Sequence, residues 1–126
     1  MMQNYLQNKV FLDNDGLLQV WVVGPQDEQS VAEMGELIRK AAAQLRAAKK
    51  PVIIFDDLTK MGPTSAEARK TVADLAKTLD FDKVAMVGGS SSMLAFGTNL
   101  MLRAIGKSSV RYFSDAAMAK AWLLTK

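Results

Sequence analysis

Val110-Arg111-Tyr112-Phe113-Ser114-Asp115 is followed, six residues on, by Ala121-Trp122-Leu123-Leu124, and these two runs decide how the chain is read. The first four residues favour extended backbone, and Ser114 and Asp115 bring side-chain oxygens able to cap a helix. Beyond them Ala117, Met118, Ala121 and Trp122 fall on one helical face. The pattern predicts a last strand, a cap and a closing helix whose Trp122 docks the C-terminal residues.

Working upstream, Phe81-Asp82-Lys83-Val84-Ala85-Met86-Val87-Gly88 reads as another strand, with Val84 to Val87 continuously apolar as in a parallel strand covered on both faces. Together with the closing strand and helix, this segment resembles the SpoIIAA-like family, relatives of STAS domains and, more distantly, of CRAL-TRIO lipid-binding domains. The resemblance implies a single α/β domain.

The remaining sequence agrees with that expectation. Lys9 to Asp13 and Leu17 to Val23 are β-like runs on either side of Asn14-Asp15-Gly16, whose Asp-Gly pair predicts a tight hairpin. Gly24-Pro25 is expected to break the second strand, after which Asp27 or Ser30 caps a long helix with Val31, Met34, Ile38, Ala41, Leu45 and Ala48 in one stripe. Pro51 ends that helix and opens Val52-Ile53-Ile54-Phe55 as a buried strand. A loop from Asp56 to Pro63 follows, and then Thr64 or Ser65 caps a second helix burying Ala68, Val72, Leu75, Ala76 and Leu79. Gly88-Gly89-Ser90-Ser91-Ser92 leads into a third helix reaching about Ile105, which Gly106 ends. The predicted order is ββαβαβαβα: a mostly parallel sheet opened by a hairpin and covered by four helices, in one domain spanning residues 1–126.

Composition narrows the chemistry. The chain has 126 residues, 49% of them hydrophobic, with neither cysteine nor histidine. Disulfides, thiolate nucleophiles, the usual zinc ligand sets and the Ser-His-Asp and Cys-His constellations are thereby excluded. The start of the chain lacks the apolar core of a signal peptide, so the expected location is cytoplasmic, with a peripheral place at the inner face of the membrane as a further expectation. Net charge is +3, but residues 83 to 126 set Lys83, Arg103, Lys107, Arg111, Lys120 and Lys126 against the lone acid Asp115, a mildly positive third.

Three places invite a functional reading. In open α/β sheets ligands gather beyond the carboxyl ends of the parallel strands. There Asp56, Asp57, Lys60, Thr64 and Ser65 are expected around one helix start. In STAS-type anti-sigma-factor antagonists a serine near that helix start is the phosphorylation switch; the resemblance carries this role to Ser65 or Thr64 by position, although the Asp-Ser-Ser-Gly or Asp-Ser-Thr-Gly signature is missing. The second place is Gly88, Gly89, Ser90, Ser91 and Ser92, whose amides and hydroxyls form an anion-binding candidate without the lysine of a P-loop. The third is the helix up to Ile105. Met93, Leu94, Phe96, Leu100 and Met101 belong to an apolar surplus that spreads around most of its circumference, more than one sheet face requires.

The function these features favour is a non-enzymatic binding module for an apolar or lipid-like small molecule, with membrane association through the third helix; CRAL-TRIO relatives hold lipids beneath a movable helix. The alternative is a phospho-regulated protein-interaction switch. A third class, an enzyme using Asp56, Asp57 and Lys60, pairs no nucleophile with an evident base. Expected partners are an apolar or lipid-like ligand, an anionic membrane surface and a second copy in a homodimer, with a regulatory protein in the alternative and no nucleic acid. No metal or cofactor is implied.

Overall fold

The computed structural model describes residues 8–88 and 110–125. Lys9–Leu12 (β1) and Leu18–Gln26 (β2) form the predicted hairpin, antiparallel from Lys9 opposite Trp21 to Leu12 opposite Leu18. Its connection is wider than a two-residue Asp-Gly turn. The Asp13 carboxylate accepts from the backbone N–H of Asp15 at 2.9 Å and of Leu17 at 3.0 Å, and Gly16 takes up a left-handed φ of 84°. The turn is thus organised by an acid preceding it, and Gly16 supplies the one conformation a side chain would resist.

Glu28–Ala47 (α1) begins at Asp27 and Ser30 together rather than at one of them. Asp27 accepts from the Ser30 N–H at 2.8 Å, and the Ser30 hydroxyl accepts from the Asp27 N–H at 3.0 Å, closing a capping box. Val31, Gly35, Ile38, Ala42 and Leu45 are its buried face. The helix stops short of Pro51, with Lys49 at a φ of 60°.

Ile53–Thr64 (β3) corrects the sequence reading, which ended this strand at Phe55 and placed a loop from Asp56 to Pro63. The strand continues because β2 also continues, through Gly24-Pro25 to Gln26, and offers a parallel partner along the whole length. Register shifts between Trp21 and Val23 and between Gly24 and Gln26 absorb residues that a regular ladder would not accept. At Gly62 a Cβ would lie 2.9 Å from both Gly24 C and Pro25 N, so only glycine allows the two backbones this approach.

Ala66–Thr78 (α2), Lys83–Val87 (β4), Val110–Phe113 (β5) and Ala116–Leu123 (α3) complete the described elements. The sheet order is β1-β2-β3-β4-β5, parallel from β2 to β5. An Arg46 fork holds the lower end together, reaching Asp80 at 2.7 Å and Asp82 at 2.9 Å, while Asp82 also accepts from the Val52 N–H at 2.8 Å. Three helices stand among the described residues; the fourth expected one, up to Ile105, lies outside them.

Two cores follow from strand alternation. Beneath α1 and α2 lie Leu18, Val20, Ile54, Leu58, Val84 and Met86. On the other face Leu17, Phe55, Ala85 and Val87 pack with Ala119 and Leu123 of α3. The predicted docking face of that helix is displaced. Ala119 and Leu123 are fully buried, Trp122 is half-buried and Met118 is 63% exposed. Small Ala119 lets the helix settle closely on Ala85, and Trp122 clamps the margin, 5.7 Å from the Phe113 ring with Lys83 Nζ 5.0 Å above it. Asp115 supplies the cap, accepting from the Ala117 N–H at 2.8 Å.

Trp21 is not the core anchor its type predicts. It remains 36% exposed, edge-on to Phe11 at 5.2 Å, with its indole N–H on Gln19 Oε1. Among the described residues α3, eight residues long, packs on β3, β4 and β5 rather than on the strands of the hairpin.

Candidate functional site

Asp56 and Asp57 are consecutive strand residues, so their side chains leave opposite faces of the sheet. The cluster expected around one helix start therefore does not form. Eight residues of extended chain, roughly 25 Å at about 3.3 Å each, separate Asp56 from Thr64. Asp57 holds a local turn, accepting from the Thr59 N–H at 2.9 Å and the Thr59 hydroxyl at 2.6 Å. Lys60 lies exposed in the outer part of β3, opposite Val23.

Asp56 occupies an inward position between Ile54 and Leu58, flanked across the sheet by Val20 and Met86. It lines a cavity of about 70 Å³ between the sheet and the facing sides of α1 and α2. The residue keeps some accessible surface, yet its Oδ1 is buried and receives no hydrogen bond. Burial, reinforced by the charge of Asp57, pushes its pKa up to about 7 from the ordinary 3.8. The rest of the lining is aliphatic or aromatic, including Val20, Ile38, Val72, Leu75 and Phe81. At the back Leu75 presses on α1: a Cβ on Gly35 would come within 2.5 Å of a Leu75 methyl. Sequence reasoning named Asp56 but grouped it with Asp57; extending the alternation past Phe55 would have separated them, since Ile54, Asp56 and Leu58 then share one inward face.

The phosphorylation candidates sit at the far end of β3. Thr64 is its last residue, and Ser65 caps α2 by accepting from the Ala68 N–H at 3.0 Å. The Ser65 N–H donates to Gln26 O at 3.1 Å, and Arg69 Nη1 donates to Thr64 O at 2.8 Å. This is the start of the helix that follows the third strand.

Of the anion-loop candidates only Gly88 is described, and its role there is steric. Its φ is +86°, and a Cβ would collide with Thr59 Cγ2 and lie 2.8 Å from Thr59 Cα. Gly89, Ser90, Ser91 and Ser92, and the apolar candidates Met93, Leu94, Phe96, Leu100 and Met101, lie outside the described residues. Several of the basic residues in the last third are engaged within the fold. Lys83 Nζ donates to the carbonyls of Trp122 and Thr125, Arg111 stacks on Trp122, and Lys120 pairs with Asp15 at 2.6 Å.

A second hollow of about 290 Å³ lies beside Asn8, Pro25, Gln26 and Ser30. Its central polar group is already satisfied: Gln26, only 4% exposed, exchanges amide hydrogen bonds with Asn8 at 2.9 and 3.0 Å and also bonds the carbonyls of Val23 and Gly24. Among the described residues no three acids gather in a way that could hold a metal ion, and no helix is long and apolar enough to cross a membrane.

A family profile described as SpoIIAA-like matches residues 17–124. The crystal structure of an uncharacterized protein of the DUF3478 family from Shewanella loihica PV-4, with a SpoIIAA-like fold, superposes with a TM-score of 0.70. The two share 20% identity, and the match covers 98% of each chain, a likeness of fold alone. No curated protein matches the sequence.

Proposed function

The chain belongs to the SpoIIAA-like family, and from that premise we propose that it is a non-enzymatic binding module for a small apolar molecule, or for the apolar end of a lipid-like one. The observation that carries this reading is the cavity between the sheet and α1 and α2. Well-packed interiors close around their side chains, and a hollow lined by aliphatic groups forgoes dispersion contacts that an apolar guest restores. In this reading the ligand is held on the underside of α1 and α2.

Xenon tests the proposal, because it enters apolar cavities without needing a polar partner. Under xenon pressure, amides around Leu75 and Val72 should shift saturably in NMR spectra of the wild-type protein. In Gly35→Ala the new methyl drives Leu75 toward the cavity, and those shifts should vanish. A wild-type protein indifferent to xenon would refute the reading.

A second reading has its own support. Ser65 stands where α2 begins, and a phosphoryl group there would meet the first-turn amides and the positive end of the helix, with the Arg69 guanidinium one turn away. In this reading phosphorylation changes the choice of a regulatory protein partner. Intact-mass analysis of protein from its host, with pull-downs by wild type and Ser65→Ala/Thr64→Ala, tests it; no added phosphate and unchanged partners would end it.

A further inference from the structure

Among the described residues that line it the cavity is apolar except at Asp56, and that carboxyl holds no described part of the fold together. Other acids of the chain hold something: Asp13 and Asp57 organise turns, Asp27 and Asp115 cap helices, and Asp82 ties Arg46 to the Val52 amide. Among the described residues Asp56 caps no helix and pairs with no cation, and its buried Oδ1 goes without a donor. An inward strand position between Ile54 and Leu58 would be filled more stably by valine or leucine, because an unpaired buried carboxylate is costly where an apolar side chain is not. What the carboxyl adds is a titratable group, negative once ionised, at the one polar point among the described lining residues.

We propose that Asp56 is the anchor for a primary alkylammonium group on a short aliphatic stem, received in the cavity between the sheet and α1 and α2. This rests on the cavity being the ligand site. The ammonium supplies the donor that Oδ1 lacks and the countercharge that the lining lacks, while the stem lies against aliphatic side chains. The elements packed around Asp56 contribute no competing charge among the described residues: Val20 comes from β2, Met34 and Ile38 from α1, Val72 and Leu75 from α2 and Val84 from β4. Among the described residues the charge acting on it is that of its neighbour Asp57, which also favours a cation. Volume limits the guest. About 70 Å³ is roughly half of the ~150 Å³ that accepts a benzene ring, enough for an ammonium and two or three carbons.

Binding is then linked to ionisation. With the Asp56 pKa pushed up to about 7, the fraction of carboxylate rises about tenfold between about pH 6 and pH 8, while an aliphatic amine stays charged throughout. The test uses n-propylammonium and xenon in parallel on the whole chain, followed by amide shifts in NMR. The expected result is saturable binding of n-propylammonium to the wild type, about tenfold tighter at pH 8 than at pH 6 and at least tenfold weaker in Asp56→Asn, with xenon bound alike by both. Asp56→Leu serves if the asparagine variant does not fold. Xenon binding with n-propylammonium affinity unchanged by the substitution, or unchanged by pH, would overturn the ammonium anchor and leave the apolar-cavity reading standing. Failure of xenon to bind the wild type removes the cavity reading and the anchor with it.

Discussion

Asp56→Asn should abolish the dependence of folding stability on pH between about pH 5 and pH 8. The carboxyl titrates at about 7 when folded and at the ordinary 3.8 when exposed, so between those values the folded state holds a proton that the unfolded state has released. Stability therefore falls as pH rises through this window, with the full penalty present above the folded value and none below the unfolded one. About three decades between the two titrations correspond to about 4 kcal/mol, of which more than half is lost between about pH 5 and pH 8. For a domain of this size that amounts to a fall in Tm of about 10 °C. The chain contains no histidine and no cysteine, so no other side chain has an unperturbed titration in this range to obscure the effect. Urea unfolding followed by circular dichroism at constant ionic strength reads it directly. Wild type should lose stability across the window, and Asp56→Asn should stay level and be the more stable of the two at the alkaline end. Parallel pH profiles for the two proteins would refute the burial of an unpaired carboxyl at this position.

The other expectations concern packing and caps. Leu123→Ala should cost about 3 kcal/mol and Trp122→Ala about 2, because the leucine is fully buried and the indole only partly so; unfolding curves that reverse this order would reject the orientation given for α3. Gly88→Ala should cost at least about 3 kcal/mol, since a left-handed φ and a collision with Thr59 Cα act together; a change near zero in thermal unfolding would contradict the close passage of β4 past β3. Ser65→Ala should lower stability by about 1 kcal/mol through the lost cap on the Ala68 amide, with no loss of xenon binding, measured side by side on the same preparations.

The parts of this fold that can be read from the sequence are those decided within a few residues. Asp27, Ser65 and Asp115 each cap the helix that follows because the capping oxygen and the amide it serves are two or three positions apart. The hairpin and the alternation of strands with helices follow in the same way from turn residues and apolar runs. The length of β3 could not be read locally, because whether Asp56 to Thr64 extend as strand depends on β2 continuing through Gly24 and Pro25 to meet them. The phase of α3 was equally hidden. Ala116, Ala117, Ala119 and Ala121 look alike around the helix, and which of them turns inward is settled by the fit of Ala119 and Leu123 over Ala85 on a distant strand.

The same non-local cause explains why Asp56 and Asp57 do not converge. Two adjacent aspartates before Leu58-Thr59-Lys60 resemble a polar loop, and in a loop their carboxylates could converge. Once β2 draws that stretch into the sheet, alternation sends Asp57 to a turn with Thr59 and turns Asp56 toward α1 and α2, where Gly35 lets Leu75 pack close and a small hollow remains. A carboxylate is retained there at a cost that valine would not incur. The strand extension that made the sequence reading wrong is thus what creates the one buried, unpaired charge among the described residues, and it is on that charge that the ligand chemistry and the pH profile both turn.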